Sequence, residues 1–151
     1  MDHENDGVRT RRIGNATWTV MHAFPYSMHD FASRSAIVRY ITMVDLLLDT
    51  YPCEICRTHI QTTRELKALR DELRATMDTE WCDRECQINA VVLWAFRFHN
   101  EVSRQLGKPE SEFMRLEAEL QASEDRVRMQ EKILRLLDVT YNVVYDIHRF
   151  D

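Results

Sequence analysis

The scarcity of glycine and proline constrains this chain more than any other feature. Only three glycines and three prolines occur among 151 residues. Because these two residues supply much of the backbone geometry of tight turns, a chain with so few of them favours a small number of long elements. The sequence therefore predicts a nearly all-α protein, and its length fits one domain with a buried core.

The first half of the chain has two segments with helical periodicity. A helix is predicted to start near Asn15 and to end or kink at Pro25. The next predicted helix starts at a Ser33 or Ser35 cap and runs to about residue 50. It carries a stripe of apolar residues that should face the core, formed by Ile37, Ile41, Val44 and Leu48.

The second half is also predicted to be helical. Pro52 suits the first position of a third helix. The N–H of that position has no partner within a helix, so proline, which lacks this group, loses no hydrogen bond there. The strongest periodicity runs from about Glu85 to Leu106 and stops before Gly107, a residue that commonly ends helices. Residues 110–151 are predicted to add a helical extension packed on the same domain.

The charge balance and the N-terminal composition argue against several classes of protein. The formal net charge is −5, so the composition provides no basic footprint for nucleic acid. No apolar run approaches the roughly 18 residues of a membrane span, so no membrane partner is expected. Residues 1–12 are polar, which predicts a flexible tail without a secretory signal. We therefore expect a cytoplasmic protein.

Four cysteines in two pairs are unusual for a chain expected in a reducing compartment. Cys53 and Cys56 form a C-x-x-C motif at a predicted helix N-terminus, which favours the thiolate that thiol–disulfide exchange requires. The same two cysteines, with Cys82 and Cys86 and with His59 in reserve, would also supply the ligands of one tetrahedral zinc ion. The residues alone leave the redox and zinc interpretations open.

A second chemically informative stretch begins about forty residues after the C-x-x-C motif. His99 lies on the apolar stripe of its predicted helix, where a single histidine is more often a core residue than a ligand. Trp94, Asn100 and Lys108 are close to it in sequence. An aromatic ring, an imidazole, an amide and an ammonium group are suited to stacking on a flat heterocycle and binding its phosphates.

Three segments together resemble the Erv/ALR family of FAD-linked sulfhydryl oxidases. Residues 14–22 resemble the family's Gly-x3-Trp-x3-His segment, and residues 51–56 resemble its Tyr-Pro-Cys-x2-Cys segment. Residues 94–109 are similar to its Trp-x4-His-Asn-x-Val block, which ends in Leu-Gly-Lys-Pro. The resemblance covers about residues 11–109 and indicates an FAD-binding domain over residues 13–109.

The resemblance implies both a fold and a reaction. It implies a bundle with a four-helix core that holds FAD, forms a homodimer and oxidises the thiols of protein substrates to disulfides, passing electrons to molecular oxygen to give hydrogen peroxide. Cys53 would meet the incoming thiols, and Cys56 would face the flavin. The positions implied to hold the cofactor are Gly14, Trp18, His22, Tyr26, Trp94, His99, Asn100, Val102, Ser103 and Lys108.

Some positions depart from the family pattern. Ser103 stands where the family has asparagine, and Tyr26 belongs to an aromatic–proline segment that is shifted toward the N-terminus. Cys82 and Cys86 could form a structural disulfide, act as a second electron relay, or remain two thiols. With no cysteine in either terminal segment, substrates would have to reach Cys53 directly.

The compact size and the absence of a targeting signal suggest, by analogy with the family, a member from a large cytoplasmic DNA virus. The alternative function is a non-catalytic helical interaction module held together by zinc.

Overall fold

A computed structural model gives the fold and describes residues 3–31, 33–78, 80 and 82–141. Seven α-helices account for most of these residues, which contain no strand, so the prediction of an all-α protein is confirmed. The helices are α1 (His3–Phe31), α2 (Arg34–Asp49), α3 (Glu54–Thr62), α4 (Arg64–Ala75), α5 (Arg84–Gln105), α6 (Glu112–Ala122) and α7 (Arg126–Tyr141).

Helix α1 is longer than the sequence predicts, at both ends. It begins at His3, inside the segment predicted to be a flexible tail, and it continues through Pro25 to Phe31. Proline lacks the N–H that would bond to the carbonyl of Met21, one turn earlier. The hydroxyl of Tyr40 on α2 donates to the carbonyls of Met21 and Val20, at 3.2 Å each. Because a neighbouring helix supplies the missing donor, the helix does not end at Pro25.

Helix α5 lies at the centre of the molecule and packs against α1, α2, α4 and α6. It is buried on nearly every side, and its fully or largely buried side chains are Gln87, Ile88, Val91, Val92, Trp94, Ala95, Phe96, Phe98 and Asn100. So many buried side chains place the middle of α5 in the core. The position of α5 brings its C-terminal half against α1, where the candidate site lies.

Helix α2 begins and ends where the sequence predicts. The Ser33 hydroxyl accepts a hydrogen bond from the Ala36 N–H at 3.2 Å, which caps the helix N-terminus. Arg70 of α4 is buried and forms ion pairs with Asp45 at 2.7 Å and with Asp49 at 2.8 Å. These pairs hold the last turns of α2 against α4, and the chain then enters the C-x-x-C motif.

The segment after Pro109 folds onto the same core. Asn100 of α5 donates to the carbonyl of Phe113 at 3.1 Å and to the carboxylate of Glu117 at 3.0 Å. The buried Glu117 also accepts from Arg104 of α5. Helix α7 packs in turn on α6 and α1. The end of the predicted extension, residues 142–151, lies outside the described residues.

Within the described part of the chain, no helix is both long enough and apolar enough to span a membrane.

Candidate functional site

The C-x-x-C motif forms the start of α3. Cys53 is the N-cap residue, and its Sγ accepts a hydrogen bond from the Cys56 N–H at 3.3 Å. The two cysteines are joined by a disulfide, with their Cα atoms 5.2 Å apart. Pro52 was predicted to be the first helical residue, but it precedes the cap. The cap is Cys53, which has an extended backbone conformation. Both sulfurs lie at a helix N-terminus, which favours the thiolate once the disulfide opens.

A cavity of about 400 Å³ adjoins this motif, between α1, α3 and the C-terminal half of α5. Cys56 is among its lining residues and Cys53 is not. Most of the wall is apolar, from Trp18, Met21 and Phe98 among others. Size and lining are those of a site for a small molecule.

Stacked aromatic rings form one wall of the cavity. The rings of Trp18 and His99 are nearly parallel, with centroids 3.9 Å apart and an interplanar angle of 10°. His22 lies behind them, with its Nε2 3.1 Å from Nδ1 of His99. Burial, with a smaller contribution from His99, lowers the pKa of His22 to about 3. Burial, with a smaller contribution from Lys108, lowers the pKa of His99 to about 4. Both imidazoles are therefore neutral near pH 7.

Five of the predicted cofactor-binding positions line this cavity: Gly14, Trp18, His99, Val102 and Lys108. Gly14 and Trp18 lie one turn apart on α1 and so share a face. A Cβ atom added at Gly14 would lie 3.6 Å from the hydroxyl of Tyr51, so the glycine leaves the wall open at this point.

The end of α5 brings Lys108 to the cavity. Gly107 has a φ of 69°, a conformation that only glycine adopts readily. The Lys108 N–H donates to the carbonyl of Ser103 at 3.1 Å, and the Gly107 N–H donates to that of Arg104 at 3.0 Å. These two bonds form a Schellman motif, which reverses the chain just after the helix. Ser103 therefore contributes a backbone carbonyl to the turn and is not a lining residue.

Two other predicted positions lie away from the cavity. The indole N–H of Trp94 donates to the carbonyl of Leu69 on α4, and the ring borders a separate cavity of about 370 Å³. The Asn100 amide is directed toward α6, where it bonds to Glu117. Along α5, five residues turn the helix by about 500°, which puts Trp94 and His99 roughly 140° apart. Trp94 and Asn100 therefore hold helices together at positions where the resemblance implied cofactor contacts.

The remaining predicted positions are His22 and Tyr26. His22 contacts the back of His99 and is not itself a lining residue. The side chain of Tyr26 lies outside the described residues.

Cys82 and Cys86 remain as thiols and lie far from the cavity. The carbonyl of Cys82 accepts a hydrogen bond from Arg34, the first residue of α2, whereas Cys53 follows the other end of that helix. Sixteen residues of α2 span about 24 Å at 1.5 Å per residue. Partial burial and the neighbouring Cys86 raise the pKa of the Cys82 thiol.

The zinc interpretation has no matching geometry. Among the described residues, no group of three or more His, Cys, Asp or Glu side chains is arranged to hold a metal ion. Cys53 and Cys56 are bonded to each other, and the other pair lies at the opposite end of α2.

Several lining residues were not predicted as cofactor contacts. Arg11 and Tyr51 contribute polar groups, and Phe98 contributes a ring near that of Trp18. His59 had been considered only as a reserve zinc ligand. The sequence could have predicted its place in the wall, because His59 follows Cys56 by three residues and this spacing puts two side chains on the same face of a helix.

Comparison with known families agrees with this arrangement. The model of the Erv1 / Alr family matches residues 15–122, which is more than half of the chain. The match extends past the Pro109 end of the motif resemblance and includes α6. No curated protein and no solved structure matches the chain. The chain belongs to the Erv1 / Alr family, which is known for sulfhydryl oxidase activity.

Proposed function

We propose that this protein is an FAD-dependent thiol oxidase that forms disulfides in protein substrates and passes the electrons to oxygen, giving hydrogen peroxide. One observation carries the proposal: Cys56 lines the cavity, and its disulfide partner Cys53 does not. A disulfide in this position can exchange with an external thiol at one sulfur and meet a bound redox group at the other.

The cavity residues fit a flavin nucleotide. The stacked Trp18 and His99 rings offer a flat surface to a heterocycle. The missing side chain at Gly14 leaves room beside the hydroxyl of Tyr51. Arg11 and Lys108 add positive charge at the exposed part of the cavity, which suits a diphosphate. When bound, FAD would accept two electrons from the reduced cysteine pair and transfer them to oxygen.

The chain's own residues carry the exchange. A substrate thiolate attacks Sγ of Cys53, forming a mixed disulfide, and the Cys53–Cys56 bond breaks with its electron pair left on Cys56. A second substrate thiolate then attacks the substrate sulfur of the mixed disulfide. The substrate disulfide forms and Cys53 leaves. Two substrate thiols are thereby oxidised while the cysteine pair is reduced, and the two protons are released to solvent.

The N-terminus of α3 assists both steps. The Cys56 N–H already donates to Sγ of Cys53, so it would stabilise Cys53 as a leaving thiolate. Cys56 lies within the first helical turn, where unpaired N–H groups and the helix dipole favour negative charge.

The proposal includes the assembly and setting that the family resemblance implies. The active form would be a homodimer, its substrates would be proteins with accessible thiols, and it would work in the cytoplasm of a cell infected by a large DNA virus.

Absorption spectroscopy and oxygen consumption test the proposal. The purified chain should show a flavin spectrum, release the flavin on denaturation, and consume oxygen when given dithiothreitol. Cys56→Ser should retain the flavin and lose turnover, because the sulfur on the cavity wall is removed. Cys86→Ser is the matched control and should keep turnover, since Cys86 lies at the far end of α5. A folded chain that binds no flavin, or a Cys56→Ser variant with full turnover, contradicts the proposal.

A further inference from the structure

Two residues connect α2 to the C-x-x-C motif. Thr50 is the C-cap of α2 and Cys53 is the N-cap of α3, so Tyr51 and Pro52 form the whole connection. Pro52 has no N–H, so it cannot donate a backbone hydrogen bond that would help to hold this turn. The position of the Cys53 sulfur therefore depends on other groups that hold the turn in place.

Arg57 bonds to the chain on both sides of Pro52. Its Nη1 donates to the carbonyl of Tyr51 at 2.5 Å, and its backbone N–H donates to the carbonyl of Cys53 at 2.8 Å. The Tyr51 hydroxyl hydrogen-bonds to Thr17 of α1. Tyr51 is thus held at its hydroxyl by α1 and at its carbonyl by Arg57. Arg57 does not line the cavity, so this contact is separate from the candidate cofactor site.

The conformation of this turn decides whether Cys53 can act as the N-cap. Its Sγ accepts from the Cys56 N–H while its backbone is extended. This hydrogen bond and the helix dipole favour a thiolate at Cys53 once the disulfide opens. The guanidinium of Arg57, bonded to the residue before Pro52, adds a permanent positive charge at the same end of α3. A charge acts over roughly 8–10 Å at moderate salt, so both effects favour the thiolate.

We propose that Arg57 is a positioning residue for the exchange reaction, which holds the Tyr51–Pro52 turn and thereby stabilises the Cys53 thiolate, an inference that rests on the proposed thiol oxidase function. In the second exchange step, a substrate thiolate attacks the substrate sulfur of the mixed disulfide. The bond between that sulfur and Cys53 breaks, and its electron pair stays on Cys53. A thiol of lower pKa leaves faster, so Arg57 accelerates the step that releases the substrate disulfide.

Further charged or titratable groups near the motif also act on Cys53. They are Glu54 and His59 of α3, the Asp49–Arg70 ion pair between α2 and α4, and the cavity-lining Arg11, His99 and Lys108. All of these stay in place when only Arg57 is changed, so substitution of Arg57 isolates its contribution.

The pH dependence of Cys53 alkylation tests this role. In the full chain with Cys56→Ser, Cys82→Ser and Cys86→Ser, Cys53 is the only cysteine, and iodoacetamide modification followed by mass spectrometry gives the pKa of its thiol. Arg57→Met removes both the donor and the charge and should raise this pKa by about one unit. Arg57→Lys keeps a donor and the charge and should restore most of the shift. Arg57→Gln keeps a donor without the charge and should give an intermediate pKa.

Arg64→Met is the matched control, because it removes an exposed arginine from the start of α4 and should leave the pKa of Cys53 unchanged. Equal pKa values of Cys53 in the Arg57→Met and Arg64→Met variants overturn the inference. If Arg57→Met does not fold, Arg57→Gln is compared with Arg57→Lys, and equal pKa values in these two variants overturn the inference as well. Alkylation needs neither flavin nor turnover, so failure of the oxidase proposal is recognised separately, by the missing flavin spectrum.

Discussion

His22 and His99 are a pair of neighbouring imidazoles, one buried and one partly buried, that the fold keeps neutral. His22 is almost completely buried, and His99 stacks on the Trp18 ring and contacts His22. Neither environment can solvate a positive charge well, and a charge on one ring would oppose a charge on the other. The neutral pair therefore gives the cavity wall a fixed arrangement of rings.

This pair makes the stability of the fold depend on pH. In the unfolded chain each histidine takes up a proton below its ordinary pKa of 6.5, whereas in the folded protein the pKa is about 3 for His22 and about 4 for His99. The unfolded state binds more protons between these values, so the free energy of unfolding falls as the pH is lowered from about 6.5 to about 4. Each histidine contributes a slope of about 1.4 kcal/mol per pH unit.

Urea denaturation of the wild type and of His22→Gln at pH 6, 5 and 4 measures this slope. The variant should lose the contribution of one histidine, so its plot of unfolding free energy against pH should be shallower by about 1.4 kcal/mol per pH unit. Parallel plots for the two proteins would show that His22 takes up its proton equally in both states.

Motif spacing named some residues that line the cavity and others that do not. Gly14, Trp18 and His99 line the cavity, and motif spacing had named all three. Trp94 and Asn100 were named on the same basis and lie elsewhere. Because most of the middle of α5 is buried, the sequence pattern does not reveal which of its buried residues turn toward α1 and which toward α4 or α6.

Among the helices, those with clear end signals were predicted best. α2 and α5 begin and end within one or two residues of their predicted bounds, because a Ser33 cap starts one and Gly107 follows the other. α1 was predicted to end or kink at Pro25 and does not end there. The donor that compensates for the proline is Tyr40, on another helix, and local sequence rules do not include such a partner.

Tyr40→Phe should therefore destabilise the fold by about 1–3 kcal/mol, the cost of leaving a buried carbonyl without its donor. Pro25→Ala restores the helical N–H opposite the Met21 carbonyl, so the same Tyr40→Phe change should cost less in that background. A double-mutant cycle of the two changes, followed by thermal or urea unfolding, measures the coupling. Purely additive effects would contradict the assignment of Tyr40 as the replacement donor.

For the molecule as a whole, α6 packs directly against α5. The family match includes it, although the sequence motifs end at Pro109. Its attachment depends on a buried carboxylate, Glu117, which accepts from Asn100 and Arg104 of α5. Helical periodicity predicts that this segment is a helix, but it cannot identify a buried charged residue as the contact to α5.

Glu117→Leu should destabilise the protein by about 1–3 kcal/mol, because the buried Asn100 amide loses one of its two acceptors on α6 and keeps only the Phe113 carbonyl. Amide hydrogen exchange should accelerate first in α6 and α7, since the contact between α5 and α6 is the one that is weakened. Glu119→Leu, an exposed position on the same helix, is the control and should change the unfolding free energy by less than about 0.5 kcal/mol. Equal effects of the two variants would contradict this role for Glu117.

The length of α2 limits how the Cys53–Cys56 disulfide could oxidise Cys82 and Cys86. Helix α2, about 24 Å long, lies between the Cys53–Cys56 pair and the Cys82–Cys86 pair, and thiol–disulfide exchange needs direct contact between sulfurs. Within one folded chain the first pair therefore does not reach the second. Any such oxidation takes place between two chains. Between separate molecules its initial rate rises with the square of the protein concentration, whereas between the two subunits of the proposed homodimer it is first order in protein. Dilution therefore distinguishes exchange between molecules from exchange within a dimer.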